Sequence, residues 1–282
     1  MLINIAKSAG FCFGVKRALD IAIKTAKENK NVVMLGDIVH NEQVVSKISS
    51  YGIKKIRNIK KSKGETLIIR AHGEPLNVFN SAKKQNYKII DATCPMVKEI
   101  HKIASDMEKK GYRIIVIGDK KHDEVRGITG QLKNKALVID NSLHIPLTKI
   151  KSTKKACVVV QSTQNLENAL AIIKELKKYI PDLRFFNTIC RPTQIKQAEI
   201  RNMPKQNDCM IIIGSKKSAN TKRLYQISKS LNKESFWVNS RKEIKPVWFK
   251  NAKSVGITAG ASTPKETIDE IVGYILSLKG NS

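Results

Sequence analysis

Three of the five cysteines occupy matching places in the sequence, each 24 residues before a glycine that closes a short apolar run. The pairs are Cys12 with Gly36, Cys94 with Gly118, and Cys190 with Gly214. Three converging thiolates without a fourth equivalent suit an iron–sulfur cluster better than structural zinc, because structural zinc takes four protein ligands. Such a cluster leaves one iron open to a substrate oxygen. The other two, Cys157 and Cys209, begin apolar runs and are predicted to fill the core.

Polar side chains follow the apolar runs of all three copies. They are His40, His72, His122, Ser162, Thr163, Ser218, Asn220 and Ser262. Imidazole, hydroxyl and amide groups donate hydrogen bonds to anionic oxygens, so together they are typical of a small phosphate or diphosphate site. The sequence has no GxxxxGK[ST] or GxGxxG nucleotide loop. We interpret His101, inside a helix, and His144, in a connection, as structural.

Glu124 lies two residues after His122, the third of these histidines, which follows an apolar run. In a desolvated cavity beside an anionic ligand its pKa should rise, because burial disfavours the charged carboxylate. A carboxylic acid of that kind could deliver a proton near neutral pH. Glu124 is therefore the candidate acid.

A threefold repeat must position these residues, since both the cysteines and the glycines recur at spacings of 82 and 96 residues. Each copy has two apolar strands and a helical pattern that follows its cysteine. Pro95 suits the first turn of the second helix and Gly111 its end, whereas Pro204 is predicted to end a short third helix. Segments 54–65 and 141–155 are predicted to be surface connections.

Strands that alternate with helices predict an α/β fold of three similar lobes with mainly parallel sheets around a pseudo-threefold axis. Ligands gather beyond the carboxyl ends of parallel strands, so the cysteines and the polar ring should meet in one central cavity. We predict lobes at 14–94, at 95–188, and at 189–282 together with 1–13. In the last lobe, a strand near residues 3–5 would complete the sheet.

The composition excludes several classes of protein. The chain of 282 residues has no apolar run that approaches the ~18 residues of a membrane span. Neither a signal peptide nor a disulfide framework is indicated, so we expect a cytosolic location. Lys and Arg number 52 against 24 Asp and Glu, and arginine contributes only ten of the 52. Scattered lysines with few aromatic neighbours indicate a solvated basic surface rather than a nucleic-acid site.

Seven segments resemble the 4-hydroxy-3-methylbut-2-enyl diphosphate reductases, the LytB family. They are GFCFGV at 10–15, VHN at 39–41, RAHG at 70–73, DATCP at 91–95, HDEVRG at 122–127, NTIC at 187–190 and GITAGASTP at 256–264. The resemblance covers essentially the whole chain in order. It implies a three-lobed α/β protein around a central [4Fe-4S] cluster. The implied activity is the last step of the non-mevalonate pathway, which converts an allylic diphosphate to isopentenyl and dimethylallyl diphosphate by reductive dehydroxylation.

The resemblance also implies a role for each matching residue. Cys12, Cys94 and Cys190 would be the cluster ligands, and Glu124, helped by the Ser162 or Thr163 hydroxyl, would be the proton donor. The diphosphate would be held by His40, His72, His122, Ser218, Ala219, Asn220 and Ser262. The family commonly has two threonines after Gln161, where this chain has Ser162 and Thr163, and a serine in place of Ala219. Any contact from Ala219 must therefore come from its main-chain N–H.

Electrons should come from an external donor, because the sequence has no flavin or nicotinamide fingerprint. The resemblance implies a flavodoxin or a ferredoxin, and the net charge of +28 would attract such an acidic protein. No membrane partner is expected. One alternative is an iron–sulfur hydro-lyase, which removes water from a small anionic hydroxy substrate without net electron transfer. Another is a basic RNA- or DNA-binding protein with incidental cysteines.

Overall fold

The computed structural model describes residues 1–279 and consists of parallel β-sheets flanked by helices. The chain forms two compact units. One contains residues 1–16, 39–47 and the chain from Arg191 onward, and the other contains residues 17–38 and 48–190. None of the helices within the described residues is long and apolar enough to cross a membrane.

The larger unit, residues 17–38 and 48–190, holds two four-stranded parallel sheets of the same topology. The strands of the first sheet are β2 (Val32–Leu35), β3 (Lys54–Ile56), β4 (Thr66–Ile69) and β5 (Lys88–Asp91). Those of the second are β6 (Arg113–Ile117), β7 (Leu137–Ile139), β8 (Lys155–Val160) and β9 (Asp182–Phe185). The spatial orders are β3-β2-β4-β5 and β7-β6-β8-β9, so each strand of one sheet has a counterpart in the other.

The smaller unit repeats this topology with the order β11-β10-β12-β1. Its strands are β1 (Leu2–Ile5), β10 (Cys209–Ile213), β11 (Ser235–Val238) and β12 (Ser254–Ala259). Strand β1 pairs in parallel with β12, and Ile3 lies opposite Val255. The predicted completion of the last sheet by the strand near residues 3–5 is thus confirmed, as are three similar lobes with parallel sheets. The exact lobe borders stay a proposal.

The described chain contains ten α-helices, of which the last follows the final strand. They are α1 (Phe13–Glu28), α2 (Glu42–Ser50), α3 (Leu76–Lys84), α4 (Pro95–Lys109), α5 (Asp123–Thr129), α6 (Leu147–Ile150), α7 (Leu166–Leu176), α8 (Arg191–Gln206), α9 (Ala219–Leu231) and α10 (Lys265–Lys279). Two short 3₁₀ helices, Arg241–Glu243 and Pro246–Phe249, follow β11. As predicted, Pro95 takes the first position of α4, and Gly111, with φ +78°, follows the end of that helix.

The inner strands have unbroken apolar sequences because helices cover both faces of each sheet. In β6, Ile115 and Ile117 pack with α7, whereas Ile114 and Val116 pack with α4 and α5 on the opposite face. Cys157 lies in the second of these cores. Cys209 lies in the core that β10 and β12 form with α10. The prediction that these two cysteines fill the core is confirmed.

Two local predictions need correction. Helix α8 continues past Pro204 to Gln206, so the proline lies in the last turn and only two helical residues follow it. The Pro204 carbonyl accepts a hydrogen bond from Asn232 Nδ2 at 3.1 Å, which also supports this turn. Segments 54–65 and 141–155 are not connections throughout, since the first begins with β3 and the second contains α6 and the first residue of β8.

Candidate functional site

Cys12, Cys94 and Cys190 have the same main-chain surroundings. Each immediately precedes a helix, and each is a partly exposed cysteine that forms no disulfide. Their main-chain N–H groups donate to carbonyls two residues beyond β12, β4 and β8, which hold equivalent places in the three sheets. The pairs are Cys12 with Ala261 at 3.1 Å, Cys94 with Ala71 at 3.0 Å, and Cys190 with Ser162 at 3.0 Å. The predicted repeat thus extends to individual hydrogen bonds.

These three cysteines differ from the two core cysteines in location: each directly precedes a helix, whereas Cys157 and Cys209 lie buried in strands. A helix N-terminus favours negative charge, so thiolate ligands are stabilised directly before a helix. Burial instead raises the pKa of both Cys157 and Cys209 to about 12, which keeps them as neutral thiols. Only the first set therefore has surroundings that suit a metal ligand.

Glu124 lies in the first turn of α5 and is almost completely buried, with 2% of its surface exposed. Ser162, just after β8, binds both carboxyl oxygens. Its main-chain N–H donates to Oε1 at 2.6 Å, and its hydroxyl donates to Oε2 at 2.7 Å. Burial raises the pKa of Glu124 above its ordinary value, although both hydrogen bonds from Ser162 lower it in part. This carboxyl group is therefore suited to hold a proton.

His122 and His72 lie beside this acid. His122 caps α5, and its Nδ1 accepts a hydrogen bond from the main-chain N–H of Glu124 at 3.1 Å. A nitrogen that accepts cannot carry a proton, so Nε2 is the donor atom of this ring. The His72 ring contacts the His122 ring edge to face, with centroids 5.4 Å apart. The contacts therefore connect His72 with Glu124 through His122.

Further contacts extend this group to two of the cysteines. Ser162 accepts through its carbonyl from Cys190 while its N–H and hydroxyl hold Glu124. Cys94 donates to Ala71, the residue before His72. Within the larger unit, the structure thus brings together two cysteines, two histidines, the buried acid and its serine, as the sequence predicted. Thr163 binds differently, since its hydroxyl accepts from Gln161 Nε2 at 3.1 Å.

An ionic network that the sequence analysis missed holds the His72 loop against α5. Arg70 donates through Nε to Glu74 and through Nη1 to Asp123, both at 2.6 Å. These side chains are largely buried, and burial raises the pKa of Glu74 although Arg70 lowers it in part. Gln131 Nε2 adds bonds to the carbonyls of Glu74 and Gly127, both at 2.9 Å. Arg70 and Asp123 both lie in segments already singled out, RAHG and HDEVRG, which was the available signal.

His101 also packs against this loop. An added Cβ on Gly73, which has φ +74°, would approach His101 Cε1 to 2.8 Å, and one on Gly127 would approach Nε2 to 3.4 Å. His101 lies inside α4, as predicted, and its buried Nε2 has no hydrogen-bond partner among the residues that the structure describes. Burial lowers the pKa of His101 to about 4, and the ring is therefore neutral at physiological pH.

In the smaller unit, the remaining predicted residues lie at loop and helix starts. The Ser262 hydroxyl donates to the His40 carbonyl at 3.4 Å. Next to His40, Asn41 directly precedes α2, and its Oδ1 accepts from the N–H of Val44 at 3.1 Å. Ser262 follows Ala261, which accepts from Cys12. Within this unit, therefore, the structure brings Ser262 close to both His40 and Cys12.

Ser218, Ala219 and Asn220 form the start of α9. Ser218 caps the helix by accepting from Thr221 N–H at 3.2 Å. The N–H groups of Ala219 and Asn220, like the first ones of any α-helix, have no acceptor within the helix. Asn220 is 4% exposed, and within residues 1–279 neither its Oδ1 nor its Nδ2 has a hydrogen-bond partner. Buried polar atoms without partners are costly, so this amide is suited to a ligand. Ala219 can contribute only its main-chain N–H, as predicted.

Comparison with known proteins agrees with the residues assembled here. The family model described as LytB protein matches residues 3–276. The chain belongs to the LytB family. One relative in this family, 4-hydroxy-3-methylbut-2-enyl diphosphate reductase of Clostridioides difficile (strain 630), is 40% identical over 99% of this chain and 100% of its own length. The reductase of the same name from Aquifex aeolicus (strain VF5) is 38% identical over 97% and 95%.

Solved structures agree with the LytB assignment. One is described as (E)-4-hydroxy-3-methyl-but-2-enyl diphosphate reductase, the terminal enzyme of the non-mevalonate pathway. It is 37% identical, with a TM-score of 0.72 over 98% of this chain and 100% of that chain. The E-1-hydroxy-2-methyl-but-2-enyl-4-diphosphate reductase from Plasmodium falciparum has a TM-score of 0.90 at 28% identity, over 97% and 87%. The LytB family consists of iron–sulfur proteins, and the donor set described above fits such a group.

Proposed function

We propose that this protein reduces (E)-4-hydroxy-3-methylbut-2-enyl diphosphate to isopentenyl and dimethylallyl diphosphate, the last step of the non-mevalonate isoprenoid pathway. The observation that carries the proposal is the double hydrogen bond between Ser162 and Glu124, together with the bond from Cys190 to the Ser162 carbonyl. A buried acid beside a cysteine ligand is what a reductive loss of hydroxide requires. Family membership supports the same reaction.

We further propose that Cys12, Cys94 and Cys190 hold a [4Fe-4S] cluster. Three partly exposed cysteines with the same main-chain environment support this assignment, because each stands directly before a helix N-terminus, where negative charge is favoured. When bound, the cluster would supply the substrate with two electrons, one at a time. An external flavodoxin or ferredoxin would replenish them.

The polar residues that the sequence analysis assigns to an anion site would bind the diphosphate. His40, His72, His122, Ser218, Asn220 and Ser262 offer uncharged or cationic donors, and Ala219 offers a main-chain N–H. The unpartnered amide of Asn220 and the start of α9 support this role most directly, since a helix N-terminus favours an anion. Replacement of Asn220 by Ala should raise KM about tenfold. The same change at exposed Asn202 serves as the control.

The reaction consumes two electrons and two protons, breaks the allylic C–O bond, and forms water and a C–H bond. Glu124 delivers one proton to the departing hydroxyl oxygen, and the Ser162 or Thr163 hydroxyl assists. A protonated Glu124 can donate to Ser162 Oγ while Oε1 still accepts from the Ser162 N–H. Glu124 can therefore keep both hydrogen bonds to Ser162 whether it is protonated or charged. The second proton adds to either end of the allylic anion, which accounts for two products.

The first experiment measures iron and sulfide after anaerobic purification, together with the visible spectrum. Replacement of Cys12, Cys94 or Cys190 by Ser should remove the cluster, whereas the matched changes at Cys157 and Cys209 should leave it. A wild-type chain that holds no iron after anaerobic reconstitution would contradict the proposal. Turnover without a reductant would instead favour the hydro-lyase.

The net charge of +28 supports an acidic electron donor and leads to a second experiment. The rate of reduction by flavodoxin or ferredoxin should fall steeply as ionic strength rises, because salt screens charges that lie more than ~10 Å apart at 0.1 M. A rate that does not respond to salt would exclude electrostatic docking. The cytosolic location stays a prediction.

A further inference from the structure

Lys196, in the middle of α8, is the largest fully buried side chain of the described residues. Its ammonium group donates to three main-chain carbonyls, those of Ser8, Gly10 at 3.0 Å and Ala259 at 3.2 Å. An ammonium has three N–H donors, so these carbonyls match its capacity. A lysine is almost never buried in this way unless it is paired, which indicates that the arrangement has a specific role.

The carbonyls that Lys196 binds belong to the two segments that support Cys12. Ser8 and Gly10 lie in the loop between β1 and Cys12, and Ala259 is the last residue of β12. The N–H of Cys12 donates to Ala261, two residues after Ala259. Lys196 therefore joins the segment that carries the thiol to the segment that accepts the hydrogen bond from its main chain.

One turn later in α8, Glu199 accepts hydrogen bonds from donor groups of the same loop. Its Oε2 accepts from the main-chain N–H of Ser8 at 3.1 Å and from the Ser8 hydroxyl. Together, Lys196 and Glu199 hold both the N–H and the carbonyl of Ser8. Gly10, with φ +94°, has little space on its other side, since an added Cβ would lie 3.2 Å from Ile268 Cδ1. The loop thus has a single well-defined path to Cys12.

The larger unit contains a related contact at another cysteine. Arg17 Nη1 donates to the carbonyl of Thr93, the residue before Cys94, at 3.2 Å. In both units, therefore, a basic side chain from a helix binds the main chain of a loop that leads into a cysteine. The Arg17 contact provides an internal comparison for an experiment on Lys196.

We propose that Lys196 and Glu199 are positioning residues that fix the main chain of loop 6–11 and so place the Cys12 thiol for metal binding. Neither side chain contacts the substrate or the reacting atoms in this role. The inference rests on the proposed function only in taking Cys12 as a ligand, since the loop contacts themselves belong to the structure.

The test compares full-length wild type with Lys196→Met, Lys196→Arg and Glu199→Gln. Lys205→Met, a change at an exposed lysine of the same helix, is the control. Iron content is measured after anaerobic purification. After iron is removed by a chelator, the rate of iodoacetamide alkylation is measured at each cysteine by mass spectrometry of its peptide.

Lys196→Met should increase alkylation of Cys12 about fivefold or more and at least halve the iron content, with Cys94 and Cys190 little changed. Lys196→Arg should restore part of both readouts, because guanidinium keeps the charge and N–H donors but is larger and planar. Glu199→Gln should have a smaller effect, since an amide oxygen can still accept one bond. Arg17→Met should instead raise alkylation of Cys94, and Lys205→Met should change nothing.

If Lys196 has only a general structural role, Lys196→Met should raise the alkylation rates of all five cysteines together, including the core thiols Cys157 and Cys209. That result, or unchanged alkylation of Cys12 in folded Lys196→Met, would overturn the proposal. If Lys196→Met does not fold, then Glu199→Gln decides, and equal alkylation of Cys12 in this variant and wild type would refute it. Wild type without iron would contradict the proposed function. The alkylation rate of Cys12 would still test whether the loop contacts position this thiol.

Discussion

Ser162 binds both carboxyl oxygens of Glu124, with its N–H 2.6 Å from Oε1 and its hydroxyl 2.7 Å from Oε2. The carbonyl of the same serine accepts from Cys190. One residue thus uses its N–H, hydroxyl and carbonyl to connect the candidate acid with a candidate metal ligand. Any change in the main chain near Cys190 should therefore also reach the acid.

Replacement of Glu124 by Gln should lower turnover by about a hundredfold or more, the usual contribution of a general acid. The glutamine can still accept from the Ser162 N–H, so cluster absorbance should be retained. Turnover under anaerobic conditions and the visible spectrum are the measurements. Exposed Glu28, changed to Gln, should behave as wild type. Near-normal turnover of the first variant would remove Glu124 from the role of proton donor.

The raised pKa of Glu124 predicts a pH dependence of stability. Because the folded chain holds this proton more tightly than the unfolded one, the contribution is full below the ordinary value of 4.5 and is lost as pH rises through the folded pKa. The free energy of unfolding of wild type should therefore fall relative to Glu124→Gln with rising pH. Urea unfolding of both proteins at several pH values measures this difference. A constant difference would contradict the burial effect.

The lowered pKa of His101 predicts the opposite dependence of stability on pH. Its pKa is lowered from 6.5 to about 4, so the neutral ring stabilises the fold above pH 6.5, and this contribution is lost as pH falls toward 4. The contribution amounts to about 3 kcal/mol, since one pKa unit corresponds to ~1.4 kcal/mol. Unfolding of wild type and His101→Gln should differ in pH dependence over this window. Exposed His144→Gln is the control, and a shared profile would refute the prediction.

Gly73 and Gly52 form a matched pair, because both have positive φ but only Gly73 has close neighbours. Alanine at either position is strained by roughly 1–2 kcal/mol in the left-handed region. At Gly73 the new Cβ would also approach His101 Cε1 to 2.8 Å, so Gly73→Ala should cost about 3 kcal/mol or more. Denaturant unfolding compares the two variants. Equal losses of unfolding free energy in the two variants would show that the His101 ring moves aside without cost.

Repetition explains why the main strands and the cysteines could be predicted. The 24-residue interval from each cysteine to a glycine places equivalent residues at equivalent points of three sheets, and local apolar runs mark the two inner strands of each. Strand β3, with sequence KKI, has too little apolar pattern to be recognised. It pairs only with β2, and such an edge strand depends on its neighbour rather than on its own composition.

The unforeseen parts of the site depend on contacts between distant residues. Lys196 belongs to an ordinary helical pattern, and nothing near it in sequence reveals that Ser8 and Ala259 accept its hydrogen bonds. The ion pairs of Arg70 with Glu74 and Asp123 were missed for the same reason, although both segments had been noticed. Side chains far apart in the chain leave no local periodicity, so only the folded structure reveals them.

The pairing of β1 with β12 also has a consequence for the order in which the chain can fold during synthesis. Residues 2–5 leave the ribosome long before residues 254–259, so this first strand must wait unpaired until almost the whole chain is available. The two sheets built from residues 32–91 and 113–185 have no such delay, because all their strands are contiguous in the chain. The sheet beside Cys12 is therefore the last to be completed on the ribosome, and the thiol stays unprotected the longest.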